Sequence, residues 1–186
     1  MKLLNYISSI ISVSSKLEAE LNSVSKTLKA GKGKVLLNID ERCNHLYFIE
    51  SGLIRGYYFD EGKEITNWFA QEGEFATCFY SFIAKEKAFE NIQAIEDVVL
   101  TQLSYADLQN IYRHFPETER IGRIITENYY IKLEERLLSI QFKTAKERYE
   151  NLFEKNPHLL QRASLGQIAT YLGITQETLS RIRAEG

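Results

Sequence analysis

The stretch NHLYFIESGLIRGYYFDEGKEI, residues 44–65, holds successive apolar runs parted by Ser51-Gly52 and Glu61-Gly62. Within GLIRGYYF, Leu53, Arg55, Tyr57 and Phe59 fall on one face and Ile54 and Tyr58 on the other, which is the two-residue period of a strand. Each run is strand-length and each break carries a turn glycine, so the stretch reads as consecutive antiparallel strands. The same texture extends from about Lys34 to Leu103 through VLLNI, HLYFIE, EITNWFA, ENIQAI and VVLTQL, with a further glycine turn at Glu72-Gly73. Short alternating strands at this spacing suit an antiparallel barrel or sandwich.

Helical patterns flank these strands, so the fold class is α+β. Residues 3–30 read as helical, with Ser15-Lys-Leu-Glu18 as a capping box. Downstream, about 116–142 reads as one long helix. A heptad register places Ile121, Asn128, Glu135 and Phe142 at a, and Ile124, Ile131 and Leu138 at d. Ile121, Ile124, Asn128, Ile131 and Leu138 are therefore the candidate dimer interface. The other reading of the helix packs it on its own barrel. Thr144-Ala-Lys-Glu147 is a second capping box, opening a helix that Asn156-Pro157 stops near Lys155. Two domains are expected, 1–142 and 143–186.

The C-terminal stretch holds two short helices. Ser164-Leu-Gly-Gln167 is a third capping box, with Leu165, Ile168, Ala169 and Leu172 turned inward. Gly173 suits a left-handed stop, and Thr175 can cap the next helix. In that helix Leu179 and Ile182 pack inward, while Gln176, Glu177, Ser180, Arg181 and Arg183 face outward. Two helices about a glycine turn form a helix-turn-helix, whose second helix fits a DNA major groove. Arg can donate twice to guanine, Glu can accept from the cytosine amine, and Gln pairs with adenine. A helical hairpin with solvated charges outside is the plain alternative.

Charge permits this reading without demanding it. The 186 residues carry a net charge of −2. From Lys143 onward seven basic residues face five acidic ones, +2, whereas the rest of the chain has 16 basic and 20 acidic residues, −4. Cys43 and Cys78 stand too far apart for a metal-binding spacing or a disulfide framework. No apolar run is long enough to cross a membrane and no secretory leader is expected, so the protein reads as cytoplasmic. GKGK at 31–34 lacks the pattern of a phosphate loop, and no triad, metal set or carboxylate pair emerges. The chain is not expected to be an enzyme, and no cofactor or metal is expected.

The stretch IATYLGITQETLSRIRAEG, taken with NHLYFIESGLIRGYYFDEGKEI and the later EGEF, resembles the Crp/Fnr family of bacterial transcription regulators. The likeness spans nearly the whole chain. It implies N-terminal helices, a β-roll sensor, a long dimerisation helix and a DNA-binding helix-turn-helix. By this resemblance Gln176, Glu177 and Arg181 read bases, while Ser164, Thr175, Ser180 and Arg183 hold phosphates. Relatives often carry Arg where Gln176 stands, so their operator does not carry over. Relatives commonly continue into a β-hairpin wing; the sequence stops at Gly186, so the wing is expected to be absent or cut short.

The sensor departs from the pattern. Cyclic-nucleotide-binding members hold ribose with a Glu and the cyclic phosphate with an Arg-Ser pair. Alignment places Cys78 at that Glu, and Ala88 and Phe89 at the pair, so cyclic AMP is not the expected ligand. Cys78, Phe79, Tyr80, Ala88 and Phe89 instead mark either a filled core, the favoured reading, or an effector pocket. Two cysteines cannot supply the four thiolates of an iron–sulfur branch. His45, His114 and His158 read as structural or surface residues rather than haem ligands.

The expected function is thus a sequence-specific DNA-binding regulator acting as a homodimer on double-stranded DNA. An unidentified small-molecule effector is an expected partner, RNA polymerase is another if the protein activates, and no membrane is involved. The alternative is a β-roll sensor whose C-terminal helices contact a protein.

Overall fold

The computed structural model describes residues 2–184. Two short helices, α1 (Lys2–Ser8) and α2 (Ser15–Val24), lead into β1 (Lys26–Ala30) and β2 (Val35–Leu37). There follow β3 (His45–Ser51), β4 (Ile54–Asp60), β5 (Lys63–Ala70), β6 (Phe75–Ala76) and α3 (Phe79–Ala84). Then β7 (Asn91–Ala94) and β8 (Val98–Ser104) complete the strands. Every strand pairing is antiparallel, in two four-stranded sheets ordered β1-β8-β3-β6 and β2-β7-β4-β5. The expected β-roll is therefore present. Gly52, Gly62 and Gly73 all take positive φ at their turns. The sheets close over a core that includes Leu37, Ile49, Ile54, Ile92 and Leu100.

Two local readings need correction. The helical stretch expected over 3–30 ends at Val24, because Lys26–Ala30 pairs with β8 in the register Leu28↔Leu100. The backbone groups of those five residues find partners on a sheet edge, which outweighs a weak helical pattern. The cap of α2 is Ser14, whose hydroxyl accepts from Leu17 N at 3.2 Å; Ser15 is already helical and Glu18 cannot complete a reciprocal box. Both faces at the start of β4 are covered, since residues 53–57 are all buried. Ile54 faces the roll interior while Leu53 joins a second core formed by the C-terminal helices.

After the roll come α4 (Tyr105–His114), a single 3-10 turn at Pro116–Thr118, and α5 (Glu119–Phe142). The N-terminal helices pack where α4 and α5 begin, joining Leu3, Ile7, Leu17 and Leu21 to Phe48, Ile111 and Ile121. The chain closes with α6 (Ala145–Lys155), α7 (Leu159–Arg162), α8 (Leu165–Tyr171) and α9 (Gln176–Ala184). No helix among the described residues is long and apolar enough to cross a membrane.

Candidate nucleic-acid interface and the sensor behind it

Capping chemistry builds the C-terminal helices. Thr144 and Glu147 form the reciprocal box that opens α6, and Ser164 and Gln167 form the one that opens α8. At the end of α8, Gly173 takes φ 66°. Its N–H donates to Thr170 O at 3.1 Å and that of Ile174 to Ala169 O at 3.0 Å, the two bonds of a Schellman stop. Thr175 then accepts from Thr178 N at 3.2 Å and starts α9. Leu179 is fully buried in one core with Leu152, Leu159, Ile168 and Leu172, and Ile182 is also buried. Leu165 is only half-buried.

That packing sets what α9 presents. Gln176, Glu177, Ser180, Arg181 and Arg183 are all exposed, as are Ser164 and Thr175 at the two helix starts. The carboxyl of Glu177 is held below the usual carboxylate range, first by its own backbone N–H, then by the Thr175 side chain, with Lys63 adding to the effect. It is an acceptor at neutral pH. Glu185 and Gly186, the end of the expected recognition helix, lie outside the described residues.

The helix-turn-helix rests on the roll through contacts that sequence reading did not identify. Thr66 N in β5 donates to Thr170 Oγ1 at 3.2 Å, and Phe69 meets Tyr171 edge-on with centroids 5.1 Å apart. Arg136 of α5 donates to Tyr171 O at 2.8 Å and lies over the Tyr171 ring. Arg162 forks between Glu72, at 2.9 and 3.0 Å, and Glu96, at 2.5 and 3.2 Å. No short motif announces such pairs, because their members stand 66 and 90 residues apart.

On α5 the candidate dimer residues divide. Ile131 and Leu138 are 53% and 50% exposed, and Tyr130, Leu137 and Phe142 on the same helix are exposed too. Asn128 is exposed and Ile124 half-buried. Ile121 is a correction: it is buried in its own chain against the N-terminal helices, so it is not available to a partner. The reading that packs the helix on its own chain holds at Ile121, while Asn128, Ile131 and Leu138 are left exposed.

The five candidate effector residues do not share one cavity. Cys78 and Ala88 belong to the roll core, Phe79 is half-buried, and Tyr80 and Phe89 are 56% and 50% exposed. The filled-core reading thus describes Cys78 and Ala88 but not the two exposed rings. Burial pushes the Cys78 thiol up to about 12, and both cysteines are free and buried. What fills the neighbouring region is a set that sequence reading missed. The Trp68 indole lies against Gly56, where an added Cβ would come within 2.2 Å of the ring. Trp68 Nε1 and Asn67 Nδ2 each donate to the buried Glu90 carboxylate at 2.9 Å. Tyr129 of α5 stacks on Phe79 at 4.0 Å between centroids. Burial raises the Glu90 pKa, against the lowering effect of these hydrogen bonds. A glycine within strand β4 opposite the single tryptophan was the available signal.

The chain thus combines an antiparallel β-roll, a long helix and a terminal helix-turn-helix. Residues 27–115 match the family model for the cyclic nucleotide-binding domain. No curated protein sequence matches the chain, whereas solved structures do. FixK2 from Bradyrhizobium japonicum superposes with a TM-score of 0.76 at 22% identity, covering 87% of this chain and 84% of that one. A CooA variant from Carboxydothermus hydrogenoformans gives 0.74 at 21%, over 92% and 80% of the two chains. A Eubacterium rectale protein assigned to the Crp/Fnr family of transcriptional regulators gives 0.76 at 19%, over 98% and 89%. The chain has the Crp/Fnr fold.

Proposed function

We propose that this protein is a homodimeric, sequence-specific DNA-binding transcription regulator. In this reading residues 1–142 sense and dimerise and residues 143–186 bind DNA. The observation that carries it is the exposed row Gln176, Glu177 and Arg181 on a helix whose opposite side, Leu179 and Ile182, is buried. These three would contact base edges, and Ser164, Thr175, Ser180 and Arg183 would contact phosphates. The exposure of Ile131 and Leu138 on α5 supports pairing of two chains, with two α9 helices about 34 Å apart on one face of the duplex. Such a protein works in the cytoplasm, and as an activator it would also touch RNA polymerase.

The sensor is not built for cyclic AMP. Its cyclic phosphate would meet Ala88 and Phe89 in place of a guanidinium, close to the Glu90 carboxylate, in a region that Trp68 already occupies. The test is DNA association against ionic strength, read by fluorescence anisotropy. Binding that falls steeply with salt supports the reading; association that ignores salt points to a protein partner instead. A rise in melting temperature with cyclic AMP would overturn the sensor part.

A further inference from the structure

A cavity of about 350 Å³ lies where β5, α5 and the C-terminal helices meet, a volume typical of small-molecule sites. It is separate from the roll positions Cys78, Ala88 and Phe89, none of which lines it. Trp68 and Phe79 come from the roll, Tyr129 from α5 and Tyr171 from α8, so aromatic side chains form part of the walls. Six charged side chains also line it: Glu74, Lys132, Glu135, Arg136, Arg148 and Lys155. Lys132 pairs with Glu74 and Lys155 with Glu135. These four cancel, and two guanidiniums remain.

Arg136 donates only to the backbone carbonyls of Tyr171 and Thr66, which do not neutralise it. The Nε of Arg148 is buried and has no hydrogen-bond partner among the described residues. The two cations influence each other: burial is the first cause holding Arg136 below the usual guanidinium range, and the charge of Arg148 adds to it. Two like charges in a partly dehydrated cavity, one with an unanswered donor, are unfavourable unless an anion joins them. A planar guanidinium fork matches a phosphate or carboxylate, and aromatic side chains match a flat apolar body.

We infer that this cavity binds a small organic dianion carrying an aromatic or apolar body, its charge on Arg148 and Arg136 and its body on the aromatic side chains. Only the consequence of binding rests on the regulator reading: the ligand would touch roll, dimer helix and DNA-binding helices together, and so would bias how they sit.

The experiment is isothermal titration calorimetry on the full chain without DNA, so it succeeds or fails independently of DNA binding. The probes are phenyl phosphate, inorganic phosphate and phenol. Phenyl phosphate should bind saturably, one per chain, about tenfold or more tighter than either fragment, and Arg148→Gln should weaken it about tenfold. Arg148→Gln should also melt higher than the wild type when no anion is present, because it removes an uncompensated charge. The inference is overturned if phenyl phosphate shows no saturable binding, if it binds no better than the fragments, or if Arg148→Gln leaves its affinity unchanged. The comparison of probes on the wild-type chain stands whether or not the variant folds.

Discussion

Arg181 and Thr175 stand on the same helix-turn-helix but have different expected roles. Arg181→Ala removes a fork suited to guanine and should cost about 1–3 kcal/mol on the preferred sequence while sparing non-specific binding. Thr175→Ala removes the bond to Thr178 N and should weaken all sequences alike, with about 1 kcal/mol lost from folding stability. Competition binding against scrambled DNA separates the two outcomes. Glu90 offers a test of the filled sensor. Its carboxyl is raised on folding, chiefly by burial, so the folded state is favoured while it is protonated and penalised once it ionises. Stability should therefore decline as pH rises from the ordinary carboxylate range through the raised value. Glu90→Gln should remove that decline, and urea titrations of both proteins in mildly acidic and neutral buffer check it; parallel curves would contradict it.

Among the elements, those with capping chemistry were most legible. Thr144, Ser164, Gly173 and Thr175 all stand where their hydroxyls or missing side chain are needed, because capping depends on residues three apart and little else. Strand β1 was not legible, since a five-residue strand owes its state to β8, some 70 residues away. The long helix was legible in part. Its extent was read correctly and its heptad positions Ile131 and Leu138 are exposed, but Ile121 is claimed by a core with Leu3 and Ile7, which no pattern within the helix could reveal. Ile131→Glu with Leu138→Glu should convert a dimer to a folded monomer, as measured by sedimentation. Leu179→Ala should cost about 2–5 kcal/mol in chemical denaturation, since Leu179 is fully buried at the centre of the C-terminal core.

At the scale of the whole molecule, the order of roll, long helix and helix-turn-helix could be read from texture alone. Their mutual seating could not. It rests on Arg162 with Glu72 and Glu96, Arg136 with Tyr171, and Thr66 with Thr170, each an ordinary residue until folding brings its partner near. The burial of both faces at the start of β4 follows from that seating, which alternation within the strand does not report. The central claim is that two copies of α9 read one duplex through Gln176, Glu177 and Arg181. Selection of bound sequences from a random DNA pool tests it most directly. The account predicts enrichment of a near-palindromic site whose half-sites lie one helical turn apart, lost in Arg181→Ala; a pool that shows no enriched sequence at low salt would contradict it.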